Sequence, residues 1–222
     1  MLWFSHPMPA RSLQTDAFVL LKRPPADAFQ MFTVFSAEHG TLLVLQRVPK
    51  QPAASRSAAT KTSAAQVALD LFDEVSLLLE TSNEGRTWFV KEPRLIVRPM
   101  NIGRSYDALR LASSLAALIT RNPVHEDSRS QVATLLRTAF GAFATANRPD
   151  IVFFKSLYCF ARDEGYPVKQ QWISTLPAVD RAAVAALLNQ PLAAQSAAAP
   201  EVARLQRRLE DYLRGYTEIL LE

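Results

Sequence analysis

The side chains most able to do chemistry in this sequence are cations at the ends of predicted strands and in the loop after the third strand. They are Lys22, Arg23, Arg47, Lys50, Arg56 and Lys61. Clustered lysines and arginines bind nucleic acid phosphates because they replace condensed counterions, and they need no base-specific geometry to do so. The pattern therefore predicts DNA binding through the phosphates, with ordinary solvated charge as the alternative.

The positive charge of the chain is concentrated in its first half. The sequence has 25 Lys and Arg against 21 Asp and Glu, a formal net charge of +4. Residues 1–66 carry seven bases and three acids, residues 67–84 carry five acids and no base, and residues 86–110 carry six bases and two acids. The last group includes Arg94, Arg98 and Arg104. These arginines either extend a DNA-binding track or pair with the acidic stretch 70–84.

No arrangement of residues in the sequence suggests catalysis. The histidines His6, His39 and His125 are scattered, Cys159 has no obvious base, and the acids form no pair suited to acid–base work. We therefore predict a protein that is not an enzyme and that has no cofactor and no metal site. A single cysteine permits no internal disulfide, which favours a reducing cytoplasm. No apolar run approaches the ~18 residues of a membrane span, so no membrane partner is expected.

The elements that must position these cations are short strands in the first half of the chain. Alternating, β-branched and aromatic residues predict five of them: Thr15–Lys22, Ala28–Phe35, Thr41–Val48, Gln66–Glu80 and Arg86–Lys91. Residues 49–65 are small, polar and basic, and predict a loop. Five aromatic residues, Phe29, Phe32, Phe35, Trp88 and Phe89, either fill the core or stack on bases. The core is favoured, and Trp88 is the best candidate for an exception because it borders a turn.

The hydrophobic period changes from 2 to 3.6 after Pro99, which predicts helices to the end of the sequence. They cover Ser105–Arg121, Ser128–Asn147, a segment from Pro149 to Gly165, Leu176–Asn189, and a last helix that opens at Pro200 and keeps its apolar stripe to Leu220. The predicted fold class is therefore α+β, with an N-terminal antiparallel five-stranded β-barrel followed by an α-helical domain. The predicted limits are 1–14 for a flexible tail, 15–98 for the barrel and 99–222 for the helices.

Five motifs follow one another along the chain in an order that a known family shares. AFVLLKRPPAD (Ala17–Asp27) is an apolar strand with an arginine-containing turn, and MFTVFSAEHG (Met31–Gly40) is a strand with a Glu-x-Gly turn. TLLVLQRVPK (Thr41–Lys50) is a strand with a basic end. FFKSLYCFARDEGYP (Phe153–Pro167) is an aromatic helix with a Gly-Tyr-Pro end, and LQRRLEDYLRGYTEILLE is the final helix. In this order, they resemble the RecO family of bacterial recombination mediators.

The resemblance implies an oligonucleotide/oligosaccharide-binding (OB) fold at the N-terminus and a non-enzymatic role in DNA repair. RecO proteins bind single- and double-stranded DNA, anneal strands, pair with RecR, recognise the C-terminal tail of single-stranded-DNA-binding protein and help to load RecA recombinase. By this resemblance the protein acts in the cytoplasm, in association with the nucleoid. Many family members have a four-cysteine zinc site, whereas this chain has only Cys159 and resembles the zinc-free branch. The loop 49–65 also lacks the Gly-Ala-Arg-Arg run common in the family.

Partner binding is expected in the helical domain. A peptide tail that ends in acidic and aromatic residues needs an apolar groove with a basic rim. The candidate rim residues are Arg121, Arg129, Arg137 and Lys155. The modest net charge and the atypical basic loop leave an alternative function open, namely a protein-interaction module that keeps the OB-plus-helices fold without binding DNA.

Overall fold

The computed structural model describes residues 11–26, 28–48, 67–81 and 85–221. The chain forms two compact units, Met1–Arg98 and Pro99–Glu222, which are called the barrel unit and the helical unit below. The five predicted strands and the helical second half are both present. The predicted OB-like barrel followed by helices is therefore confirmed.

The described residues of the barrel unit form five strands: β1 (Arg11–Lys22), β2 (Phe29–Ser36), β3 (Gly40–Arg47), β4 (Glu74–Thr81) and β5 (Trp88–Val97). They close in the order β1-β2-β3-β5-β4, with β4 paired to β1. All neighbouring strands are antiparallel except β3 and β5, which are parallel. The prediction of a purely antiparallel barrel is wrong for a simple reason, because an odd number of strands cannot close on itself with only antiparallel neighbours.

Alternate residues of the strands fill the barrel, as the period of two requires. The middle of the inner face is apolar and buried, and its fully buried members include Val19, Val34, Val44, Leu77 and Leu79. The β2–β3 connection turns at Gly40, whose φ of 69° is readily adopted only by glycine. This turn fixes the β2–β3 register in which Ser36 lies opposite Gly40.

Three strand boundaries differ from the prediction by more than two residues. Strand β1 begins at Arg11 and pairs with β4 from there, so residues 11–14 belong to the barrel and not to a tail. Strand β5 continues to Val97, well beyond the predicted end at Lys91. The predicted strand Gln66–Glu80 is too long, because β4 begins only at Glu74.

Residues 67–73 cross one end of the barrel instead of joining a strand. Leu69 is 3% exposed and packs into the barrel core. The backbone is joined to β1 by hydrogen bonds from Phe72 N to Val19 O (2.8 Å) and from Val19 N to Asp73 O (2.9 Å). The apolar alternation therefore arises here from closing the barrel end and not from strand pairing.

The helical unit contains five α-helices: α1 (Tyr106–Arg121), α2 (Arg129–Thr145), α3 (Pro149–Asp163), α4 (Ala178–Asn189) and α5 (Ala199–Tyr216). Ser105 caps α1 by accepting from Ala108 N. A π-helical turn at Lys169–Ile173 was not predicted. Helix α5 ends at Tyr216, and the chain then returns to α1, where Asn122 exchanges two hydrogen bonds with the backbone of Leu220. Leu220 lies beyond the end of α5 and is 58% exposed, so it does not continue the apolar stripe of that helix.

Within the described ranges, no helix has the length and apolar character needed to cross a lipid bilayer. The same ranges contain no group of three or more His, Cys, Asp and Glu side chains that could hold a metal ion.

Candidate nucleic-acid interface

Strands β2 and β3 carry a row of apolar side chains on the outer face of the barrel. The register places Phe29 opposite Arg47 and Met31 opposite Leu45. Residues directly opposite across an antiparallel pair share a face, and the intervening Phe32 belongs to the inner core. The row is therefore directed outward. The face of strands 2 and 3 is the one that OB folds use to bind oligonucleotides.

Strand β5 extends this outer row by one aromatic residue. Phe89 pairs with Leu45 of β3, and its ring meets the ring of Phe29 edge to face, with centroids 5.7 Å apart and planes at 69°. Phe29, Met31, Leu45 and Phe89 are all half-buried. We call these four residues the outer patch. It is an apolar surface that remains partly open to solvent.

The five aromatic residues predicted mainly as core divide by position. Phe32 and Phe35 are 1% and 0% exposed. Phe29, Trp88 and Phe89 are half-buried. Trp88, the suggested exception, packs against the barrel core beside Val44. The aromatic pair on the outer surface consists of Phe29 and Phe89.

Arg47 and Lys22 lie at the same end of the barrel, as expected for residues at strand ends. Both line a cavity of about 130 Å³ whose walls also include Gln30, Gln46 and Val48. Arg47 is exposed and has no ion pair within the described residues. It is also the cross-strand neighbour of Phe29. A cation at the border of an apolar patch is suited to hold a phosphate while the patch contacts a base.

Lys22 forms an ion pair with Asp70. Its Nζ lies 3.0 Å from Asp70 Oδ1, and both side chains are substantially exposed, at 38% and 59%. Burial tends to raise the pKa of Asp70, but hydrogen bonds from Lys22 and from the Leu71 backbone outweigh it, so that pKa lies below its ordinary value. Exposed ion pairs of this kind are weak, so Lys22 can exchange Asp70 for another anion at little cost.

Arg98 forms a much firmer pair with the acidic stretch. Its Nε and Nη2 donate to the two carboxylate oxygens of Asp73 at 2.8 and 2.6 Å, and Nη2 also donates to Ala68 O at 2.8 Å. The Asp73 side chain is completely buried. Of the two alternatives for Arg98, the structure shows the ion pair.

The remaining predicted DNA-binding residues have different settings. Arg23 follows β1 and Arg94 lies on β5. Both are exposed and make no ion pair with the described part of the chain. Arg104 is an exposed residue of the helical unit. Lys50, Arg56 and Lys61 lie outside the described residues.

The four predicted rim residues of the partner groove lie on three helices. Arg121 ends α1, Arg129 begins α2, and Arg137 is exposed on α2. Lys155 on α3 donates from Nζ to Gln190 O at 2.9 Å, and burial lowers the pKa of its ammonium group. Lys155 thus connects α3 to the end of α4.

The helical unit has a groove that the sequence analysis missed. It has a volume of about 750 Å³ and is lined by Trp172, Tyr212 and Tyr216, with Arg208 and Asp211 beside them. The rings of Tyr212 and Tyr216 stack 5.4 Å apart. Tyr212 and Tyr216 have the i, i+4 spacing that brings side chains together on a helix, whereas the contribution of Trp172 depends on the unpredicted π-helical turn.

No family model matches this sequence, and no curated protein matches it either.

Proposed function

We propose that this protein is a non-catalytic, DNA-binding mediator of recombination and repair, similar in role to the RecO family. The barrel unit binds DNA strands. The helical unit docks partners, namely a RecR-like protein and the C-terminal tail of single-stranded-DNA-binding protein, so that strands are annealed and RecA recombinase is loaded. The protein acts in the cytoplasm, in association with the nucleoid.

The observation that carries this proposal is the outer face of strands β2 and β3. The barrel has OB-like strand order, and the outer patch borders the exposed Arg47. Lys22 lies at the same barrel end, in a weak pair with Asp70. An apolar surface beside exchangeable cations is the combination that binds single strands without sequence preference.

The helical unit supports the partner role through its aromatic groove. Trp172 is 3% exposed and forms the floor, whereas Tyr216 is 75% exposed and forms a wall. Arg208 supplies one cation at the border, 43% exposed, and already contacts Asp180. An apolar groove with a basic residue at its rim suits a peptide tail that ends in acidic and aromatic residues.

An anisotropy titration of the full chain with labelled single-stranded and duplex oligonucleotides tests the DNA-binding proposal. We expect binding that weakens steeply with salt, and we expect Arg47→Glu to weaken it about tenfold. Arg207→Glu is the matched control, because Arg207 is an exposed cation of α5 in the helical unit. Absence of salt-dependent binding up to tens of micromolar protein would overturn the proposal.

The second candidate is a protein-interaction module without DNA binding. Its specific support is that Lys22 and Arg98, two of the nine predicted DNA-binding cations, are paired with Asp70 and Asp73. Capture of a RecR-like protein or of the single-stranded-DNA-binding protein tail by a chain that fails the oligonucleotide titration would select this candidate.

A further inference from the structure

We propose that Phe29 and Phe89 form a stacking platform for an unpaired nucleobase, which makes single-stranded nucleic acid the preferred ligand of the barrel's outer face. This inference rests on the proposed function, because it requires the barrel unit to bind nucleic acid. It goes further by assigning the contact to two aromatic side chains and by distinguishing single strands from duplexes.

The two rings lie on the same outer face, on strands β2 and β5, which flank β3. Leu45 of β3 is the cross-strand partner of Met31 on β2 and is paired with Phe89 on β5. The edge-to-face contact between Phe29 and Phe89 holds the two rings at 69° to each other. In such a pair the edge of one ring points at the face of the other, so the arrangement has faces that the partner ring does not cover.

Burial distinguishes Phe29 and Phe89 from the other two phenylalanines of β2. Phe32 is 1% exposed on the inner face, and Phe35 is 0% exposed although it shares the outer face with Phe29. Phe29 and Phe89 are instead half-buried, as are Met31 and Leu45 beside them. Half-buried rings are anchored by their neighbours and still present surface to a ligand, which limits the conformational entropy lost on binding.

The charges around the outer patch fit a base with an adjoining phosphate. Arg47 is directly opposite Phe29 and makes no ion pair in the described ranges. On the β5 side, Lys91 is held by Glu80 at 2.6 Å. This pair is exposed and therefore weak, like that of Lys22. Arg47 differs from both lysines because it has no ion pair to exchange within the described residues, and a nucleotide can place its base on the patch and its phosphate toward Arg47.

The platform discriminates between single strands and duplexes. A base can stack on an aromatic side chain only when it is not already stacked within a helix, so recognition by stacking selects unpaired bases. Arg47 makes no such distinction, because phosphates are accessible in both forms. Loss of the rings should therefore affect single strands alone, whereas loss of Arg47 should affect both forms.

The test compares three variants of the full chain in anisotropy titrations with a labelled oligothymidylate and with a duplex of equal length. Phe29→Leu/Phe89→Leu keeps the patch apolar and removes the rings. Arg47→Ala removes the cation. Tyr106→Leu removes a tyrosine that is 78% exposed on α1 and is the control. Thermal melts establish that every variant is folded.

We expect the double phenylalanine variant to bind oligothymidylate about 5- to 100-fold more weakly, with duplex affinity changed less than about twofold. The slope of log affinity against log salt concentration should be unchanged for this variant. For Arg47→Ala the slope should fall by about the amount that one phosphate contact contributes, on both ligands. Equal losses for single strand and duplex, or no loss, would overturn the stacking platform and leave the proposed function standing. Absence of binding by the unaltered chain to either ligand would overturn both.

Discussion

Arg98, the residue immediately after β5, holds the buried carboxylate of Asp73 with two hydrogen bonds, at 2.8 and 2.6 Å, and so joins the end of β5 to the segment that closes the barrel. Asp73 immediately precedes β4, and its carboxylate also accepts from Asp70 N at 2.8 Å. A buried carboxylate requires such partners, because an unpaired charge is costly in a low dielectric. The pair therefore fixes the point at which residues 67–73 become strand β4.

Replacing Arg98 with methionine should destabilise the barrel unit. The change keeps an apolar stem and leaves the Asp73 carboxylate, which is completely buried, without its cation. We expect a loss of about 2–3 kcal/mol in the free energy of unfolding, less than for a fully buried pair because Arg98 is about one-third exposed. Urea denaturation measures it. Arg94→Met, at an exposed position of β5, is the control, and an equal urea midpoint for the two variants would contradict the prediction.

How far the sequence predicts this fold is seen at residues 67–73. The alternation of Val67, Leu69 and Leu71 runs directly into that of β4, so it predicts one long strand. Leu69 is indeed buried, but the backbone hydrogen bonds from this segment to other parts of the barrel go to Gln46, Val19 and Arg98. A period of two reports which side chains are buried. It does not report whether the backbone partner is a neighbouring strand or a side chain from across the barrel.

The candidate site shows a similar limit. Parity along β2 correctly places Phe29 and Phe35 on one face, yet Phe35 is fully buried and Phe29 is half-buried. Alternation predicts the face of the strand on which a side chain lies. It does not predict the position along the strand at which other residues cease to cover that face. The contact between Phe29 and Phe89 joins residues sixty positions apart in sequence, and it depends on the parallel β3–β5 pair that closes the barrel.

Replacing Gln46 with alanine should loosen the closure of the barrel end. The Gln46 amide donates to Val67 O at 2.6 Å and accepts from Leu69 N at 3.2 Å, and it is 6% exposed. Its loss leaves these backbone groups without partners, at a cost of about 2–4 kcal/mol. Urea denaturation measures the loss, and faster amide exchange at Leu69 localises it. Gln14→Ala, at an exposed position of β1, is the control. Unchanged exchange at Leu69 would refute this account.

Replacing Asp70 with asparagine should strengthen DNA binding. Asp70 holds Lys22 in an exposed ion pair at 3.0 Å, and its removal makes this cation available to a phosphate. We expect an affinity about threefold higher and a salt dependence steeper by up to one phosphate contact. Asp16→Asn is the matched control, because it removes the same charge from an exposed position of β1. If Asp70→Asn and Asp16→Asn raise the DNA affinity equally, the change in net charge explains the increase and the release of Lys22 does not.

The pH dependence of stability should reveal the ion pairs between Asp180 of α4 and the arginines Arg204 and Arg208 of α5. Asp180 is 5% exposed and accepts from Arg204 at 2.7 and 2.8 Å and from Arg208 at 2.6 Å. The hydrogen bonds from Arg204, with its charge and that of Arg208, lower the pKa of Asp180 below its ordinary value of 3.8. A lowered folded-state pKa gives stability that is fully present above pH 3.8 and is lost as the pH falls through the folded-state pKa.

The Tm of the unaltered chain should therefore exceed that of Asp180→Asn at neutral pH, and this difference in Tm should narrow below pH 3.8. Asp211→Asn, at a carboxylate 75% exposed, should show little gap at any pH. A Tm difference for Asp180→Asn that stays constant from neutral to acidic pH would show that the charge of the carboxylate does not stabilise the contact between α4 and α5.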